Sequence, residues 1–117
     1  MDIVNFLTIE EGDDLILAFS FDEGTRFGMS GFILQRTPKF ESFLRPDERG
    51  LLVDWTDEDE RILVRKANLT SKQIAFETTR ESLLFDVSKI SEKEYSEMVS
   101  ILKKMNFDKA FDLKITE

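Results

Sequence analysis

Short apolar segments separated by turn residues constrain the fold of this chain more than any other feature. The clearest is residues 15–21, LILAFSF, in which Leu and Phe alternate with Ile, Ala and Ser. This period of two is typical of a half-buried β-strand. Strands are predicted over residues 3–9, 15–21, 27–36, 51–55, 62–69, 72–79 and 82–87. The short turns between them favour an antiparallel meander.

One helix is predicted after these strands. Ser91 is a suitable N-cap, and Glu94 stands at the third helical position, so the two residues form a capping box. Ile90 precedes the cap and can pack on Tyr95 as a hydrophobic staple. The apolar residues at helical spacing, which should pack on the sheet, are Tyr95, Met98, Ile101, Leu102 and Met105. The helix is expected to end near Asn106, and the residues beyond it are either an edge strand or a short extension.

Together these elements predict one domain over residues 1–117 of the α+β class. The expected architecture is a mainly antiparallel β-meander sheet with one C-terminal helix packed on a face. Its core is expected to include Phe19, Phe21, Leu63, Phe76, Phe85 and Leu102. Residues 37–50 contain both prolines and show no clear period, which predicts a long loop with Phe40, Phe43 and Leu44 turned inward.

Two residue types are missing from the chain, cysteine and histidine. Without cysteine there can be no disulfide and no thiolate metal site. Without histidine the chain lacks the commonest general base and the commonest zinc ligand. No P-loop, GxGxxG or GxSxG motif occurs either. We therefore expect no enzymatic activity, no cofactor and no metal.

The net charge of −8 argues against a nucleic-acid ligand, because phosphates are bound by clustered Lys and Arg. The N-terminal residues MDIVNF lack the basic stretch of a signal peptide, and no apolar run approaches the ~18 residues of a membrane span. A cytoplasmic location without membrane contact is the expectation. The oligomeric state is left open.

Acidic residues are concentrated in two blocks at predicted turns. The first lies in residues 1–24, which carry seven acidic residues and no Lys or Arg; its candidate binding residues, named the first acidic block, are Glu10, Glu11, Asp13 and Asp14. The second acidic block consists of Asp54, Asp57, Glu58, Asp59 and Glu60, and it includes Trp55. Our hypothesis is that the two blocks form an acidic docking surface, because a field of this sign speeds the capture of a basic protein. Trp55 would then be an interface anchor, a role in which tryptophan is over-represented.

Three other interpretations of the blocks remain open. The acidic residues could be solvated hairpin tips, which is the usual role of a run of charge, with Trp55 in the core. The run 57–60 could bind Ca²⁺ or Mg²⁺ through its carboxylates, although it lacks the spacing of an EF-hand loop. Carboxylate pairs such as Glu10 and Glu11 could serve a hydrolase, but they stand on a predicted exposed turn and not in a pocket.

From about residue 31 to residue 107 the order of features resembles the tenth immunity-protein family of bacterial polymorphic toxin systems. The matching parts are FILQR at 32–36, GLLVD at 50–54, the paired strands that follow, and SEKEYSEMVSILKKMNF at 91–107 as a closing helix. The resemblance implies a cytoplasmic protein that binds and neutralises a cognate toxin, often a nuclease. The alternatives are a regulatory or adaptor domain unrelated to toxins and an enzyme with a carboxylate-bound metal.

Overall fold

The computed structural model describes residues 2–21, 31–53 and 62–116. The strands in these residues are β1 (Asp2–Glu11), β2 (Leu15–Phe21), β3 (Gly31–Arg36), β4 (Leu52–Val53), β5 (Val64–Leu69), β6 (Gln73–Thr78), β7 (Ser82–Asp86) and β8 (Asp112–Ile115). The helix α1 (Glu92–Met105) lies between β7 and β8. Two 3₁₀ helices, Pro38–Phe43 and Pro46–Glu48, occupy the predicted loop. Residues 27–30 and 54–55, which were also predicted to be in strands, lie outside the described residues.

All the strands of the described residues belong to one sheet, in the order β4-β3-β2-β1-β7-β6-β5-β8. Neighbouring strands are antiparallel except at two places, where β1 pairs with β7 and β5 pairs with β8 in parallel. The predicted α+β class, with a mainly antiparallel sheet and one C-terminal helix, is confirmed. The residues after the helix form an edge strand, β8.

The sheet bends so strongly that β4 is bonded on both sides. Besides its pairing with β3, β4 exchanges hydrogen bonds with the start of β5, from Val53 N to Ile62 O at 2.8 Å and from Val64 N to Leu51 O at 2.9 Å. The rings of Phe32 on β3 and Phe76 on β6 lie 5.8 Å apart. Four strand steps separate β3 from β6, or about 19 Å along a flat sheet, so the ring contact requires a tightly curved one.

The concave side of this curved sheet holds the core. Four phenylalanine rings, from β2, β3, β6 and β7, pack against one another with centroids 5.1 to 6.1 Å apart. Edge-to-face and tilted pairs of this kind add about 0.5–1.5 kcal/mol beyond the burial of their area. Every predicted core residue is buried, as shown by Phe19, Phe21, Leu63, Phe76, Phe85 and Leu102.

The predicted helix cap is present. The Ser91 hydroxyl accepts a hydrogen bond from Glu94 N at 3.1 Å, and the Glu94 carboxylate accepts one from Ser91 N at 3.3 Å. The same carboxylate also accepts a hydrogen bond from Leu7 N at 3.2 Å, which ties the start of α1 to β1. The helix ends at the C-cap residue Asn106, as expected. Its buried face consists of Met98, Ile101, Leu102 and Met105, and it packs against β1 and β2.

Candidate docking surface

The first acidic block lies at the turn between β1 and β2. Three of its four carboxylates bind groups within the same chain. Glu11 pairs with Lys104 Nζ at 2.7 Å, Asp13 pairs with Lys39 Nζ at 3.4 Å, and Asp14 accepts a hydrogen bond from Thr37 Oγ1 at 2.7 Å. These contacts tie the hairpin turn to the end of α1 and to the first 3₁₀ helix. They offset much of the charge that the block would offer to a partner.

The second acidic block, Asp54, Asp57, Glu58, Asp59 and Glu60 with Trp55, lies outside the described residues. The described chain stops at Val53, which pairs with Leu34 on β3. Since β4 is antiparallel to β3, its direction at Val53 leads away from the hairpin turn that carries the first block. The hypothesis of one surface formed by both blocks remains a prediction.

A buried arginine organises the molecule beside the first block. Arg36, at the end of β3, has a fully buried guanidinium that makes five hydrogen bonds. Two go to the Glu41 carboxylate, at 2.8 and 2.9 Å, and two go to the Asp108 carboxylate, at 2.8 and 2.7 Å. The fifth goes to Met105 O at 2.7 Å. The ring of Phe107 stacks on the guanidinium, with Cζ 4.3 Å from the ring centroid.

This Arg36 network uses all five donors of the side chain, so the buried charge is fully satisfied. Burial alone would lower the pKa of Arg36, but the hydrogen bonds from its guanidinium to Glu41 and Asp108 outweigh burial and raise it. The hydrogen bond from Arg36 lowers the pKa of Asp108 below its usual value, against the opposing effect of partial burial. The network thus fixes the first 3₁₀ helix and the end of α1 on β3, which makes it a structural element.

The prediction that Phe40 and Phe43 turn inward is wrong. Both are exposed, and Phe43 shows 84% of its surface. A 3₁₀ helix has three residues per turn, so positions three apart lie on the same side. Glu41 turns inward to reach Arg36, and Leu44, three positions later, is half-buried on the same side. Phe40 and Phe43 are also three positions apart, and they lie together on a different side. The buried arginine therefore determines the direction of the aromatic residues.

A second surface emerges from the strand registers. Side chains alternate across a strand, so the residues between the buried ones point away from the core, on the convex side of the sheet. The convex face consists of Ile3, Phe6, Thr8 and Glu10 of β1, Ile16, Ala18 and Ser20 of β2, Gly31, Ile33 and Gln35 of β3, Gln73, Ala75 and Glu77 of β6, and Ser82, Leu84 and Asp86 of β7.

Four large apolar side chains are exposed on the convex face, namely Ile3, Phe6, Ile33 and Leu84. They lie on β1, β3 and β7, and Phe6, which stands opposite the small Ser20 on β2, has half of its surface (50%) exposed. The solvated face of an antiparallel sheet usually carries polar side chains, and a contiguous exposed apolar patch often marks an interaction site.

The ionisable side chains on the convex face of β1, β2, β3, β6 and β7 are acidic. Its ionisable residues are Glu10, Asp86 and Glu77, and none of its members on the described strands is Lys or Arg. Hydrogen bonds from the hydroxyl and backbone N–H of Ser88 lower the pKa of Asp86, which keeps that carboxylate ionised. Basic side chains begin only at β5, where Lys66 lies opposite Glu77. On these five strands the face therefore combines exposed apolar side chains with carboxylates.

One residue of the first acidic block, Glu10, belongs to the convex face. It points outward from β1 and lies opposite Ile16. Glu11, Asp13 and Asp14 lie at the turn between β1 and β2. The alternation in residues 15–21 separates a side with Leu and Phe from a side with Ile, Ala and Ser, but it does not identify the exposed Phe6 and Ile33. The signal that could have found them is the set of apolar residues at outward positions of neighbouring strands.

Within the ranges that the structure describes, no group of three or more His, Cys, Asp and Glu side chains is placed to hold a metal ion. No helix in these ranges is long and apolar enough to cross a membrane. Comparison of the chain with family models, with curated proteins and with solved structures gave no match. The resemblance to the tenth immunity-protein family therefore stays a prediction.

Proposed function

We propose that the chain is a protein-binding module whose convex face docks on a basic protein, and that it acts as an immunity protein for a cognate bacterial toxin. The observation that carries the proposal is the convex face of β1, β2, β3, β6 and β7, which exposes Phe6, Ile33 and Leu84 and whose ionisable residues are Glu10, Glu77 and Asp86. The immunity role rests on the resemblance of residues 31–107. The proposed partner is a toxin with an apolar patch bordered by Lys and Arg.

The composition of the convex face supports binding in two ways. Protein interfaces combine a desolvated apolar centre with a polar rim, and aromatic residues such as Phe6 are enriched in that centre. A surface charge of one sign steers an oppositely charged partner and raises the association rate. The apolar centre would supply most of the affinity, and Glu10 with Asp86 would supply orientation and speed of capture.

Neutralisation would follow from occlusion alone. A toxin that acts on nucleic acid needs a basic surface for its substrate, and an acidic protein seated on that surface would exclude the phosphates. Such inhibition is stoichiometric and needs no catalytic group in the inhibitor. The proposal therefore agrees with a chain that lacks histidine and cysteine.

The proposal can be tested with Phe6→Asp and a matched control, Phe43→Asp. Both substitutions place a carboxylate at an exposed phenylalanine, but only Phe6 lies on the convex face. The partner is the basic protein that co-purifies with the tagged chain from its native cell, and it is then titrated by calorimetry. Phe6→Asp should raise Kd by about tenfold to a hundredfold, as expected for an interface anchor. Phe43→Asp should leave it unchanged.

Equal Kd values for the parent and Phe6→Asp would contradict docking on the convex face. If only Phe43→Asp lost binding, the docking site would include the first 3₁₀ helix and not the convex face. Expressing the co-purified partner in cells, with and without this chain, separates immunity from an adaptor role. Protection of the cells by this chain would indicate immunity. Binding without any toxicity to be suppressed would favour a regulatory or adaptor domain.

The second acidic block has its own test. Converting Asp54, Asp57, Glu58, Asp59 and Glu60 to their amides should leave stability nearly unchanged if they are exposed. If the block steers the partner, association should slow, and the difference should shrink with added salt, since screening acts beyond about 8 Å at physiological ionic strength. An association rate equal to that of the parent at low salt would identify the block as a solvated turn.

A further inference from the structure

Within residues 2–21, 31–53 and 62–116, no strand pairs with the outer backbone edge of β8. It closes one end of the strand order and pairs only with β5, from Lys66 opposite Asp112 to Leu69 opposite Ile115. At the other end of the order, β4 is bonded both to β3 and to the start of β5. Among the strands that the structure describes, β8 is therefore the terminal one whose outer N–H and C=O groups have no strand beside them. Such an edge is a template for pairing with another strand.

The side chains of β8 select a particular partner. Asp112 and Lys114 are exposed on one side of the strand, and Leu113 and Ile115 are half-buried on the other. Residues that lie opposite each other in an antiparallel pair point to the same side of the sheet. When two copies of β8 pair with Leu113 opposite Leu113, Asp112 of each copy faces Lys114 of the other. This register forms two opposite-charge pairs around an apolar contact.

The competing register is unfavourable. Shifting the centre of the pair by one residue places Lys114 opposite Lys114, and like charges directly opposite each other destabilise a sheet. A lysine in the middle of an edge strand also disfavours pairing with a strand of arbitrary sequence. The arrangement of Asp112, Leu113 and Lys114 is complementary to itself in one register only.

We propose that two copies of this chain pair through antiparallel β8 strands centred on Leu113, which would extend the sheet across a two-fold axis. The contact is made by the outer edge of β8 and involves none of Phe6, Ile33 and Leu84, so the inference does not depend on the proposed basic partner. The contact is short, and stable interfaces bury roughly 1,200–2,000 Å², so the dimer is a weak one that forms at high concentration.

The test is a charge exchange measured by sedimentation equilibrium from about 10 µM to about 1 mM. Lys114→Asp places carboxylates opposite each other and should weaken the dimer about tenfold or more. Asp112→Lys should do the same through opposed ammonium groups. An equimolar mixture of the two variants should dimerise as the parent does, because each Asp again faces a Lys. Lys93→Asp, an equal change on the exposed side of α1, is the control and should dimerise normally.

The outcomes separate clearly. A parent chain that is monomeric at about 1 mM would overturn the proposal. So would a dimer that Lys114→Asp leaves intact, since the contact would then lie elsewhere, for example on the convex face. Asp112 also neighbours Lys66 within the chain, so Asp112→Lys could unfold. In that case Lys114→Asp still decides the question, because its neighbour on β5 is the uncharged Asn68.

Discussion

Replacing Arg36 by Met should be among the most damaging single changes in this protein. The side chain lies buried between Glu41, whose side chain is 12% exposed, and Asp108, whose side chain is 44% exposed. Methionine fills similar space but leaves the Glu41 carboxylate and Met105 O without their donors. Breaking a buried ion pair from one side costs about 3–5 kcal/mol. Most of that cost should come from Glu41, because Asp108 can be solvated.

The measurement is equilibrium unfolding in urea, with the slope of the transition checked for two-state behaviour. Arg45→Met is the matched control: Arg45 pairs with Glu48 at 3.1 Å on the surface, and exposed pairs contribute about 0–1 kcal/mol. The double variant Arg36→Met/Glu41→Met should recover part of the loss, since it removes the unpaired carboxylate. A loss below about 1 kcal/mol for Arg36→Met would refute the structural role of the Arg36 network.

The pH dependence of the same variant gives an independent check. Arg36 lowers the pKa of Asp108 in the folded protein, so this contribution to stability is present above the unfolded pKa of about 3.9. It is lost as pH falls through the folded pKa, because the neutral acid no longer attracts the guanidinium. The difference in unfolding free energy between parent and Arg36→Met should therefore narrow as the pH drops below about 4. A difference in unfolding free energy that stays constant as the pH falls well below about 4 would contradict the assignment.

Three further substitutions test the fold, each by denaturant unfolding. Ser91→Ala removes the acceptor of the Glu94 N–H and should cost about 0.5–2 kcal/mol; an unchanged midpoint would mean that the cap contributes nothing. Leu102→Ala creates a cavity under α1 and should cost about 2–5 kcal/mol, and a cost under about 1 kcal/mol would contradict its full burial. Gly31→Ala places a methyl group 3.1 Å from Phe19 O and should cost about 1–3 kcal/mol; an unchanged midpoint would mean that β2 moves aside.

Local sequence patterns were sufficient for the secondary structure and the core. Ser91 with Glu94 defines the start of the helix because a capping box satisfies backbone donors with nearby side chains. Phe19 and Phe76 are identifiable as core residues because alternation places them on the heavier side of their strands. In each case the determining interaction lies within a few residues of the chain.

Features that depend on distant residues were not predictable in this way. Arg36 appears in the sequence as an ordinary charged residue at a strand end, and its burial depends on Asp108, which is 72 positions away. The outward direction of Phe40 and Phe43 follows from that burial, so the loop was wrongly predicted. The exposed apolar side chains of the convex face are likewise recognisable only after the registers show which positions of β1, β3 and β7 point away from the core.

The parallel contact between β1 and β7 also bears on how the protein is made. Ile3 pairs with Asp86, so the first strand must wait until most of the chain has been synthesised before it gains this neighbour. Translation proceeds from the N-terminus, and contacts between distant positions slow folding. Until β7 emerges from the ribosome, the hairpin of β1 and β2 presents Phe19 and its apolar neighbours to solvent. Nascent chains that stall before residue 82 should therefore be the species most dependent on chaperones and most prone to degradation.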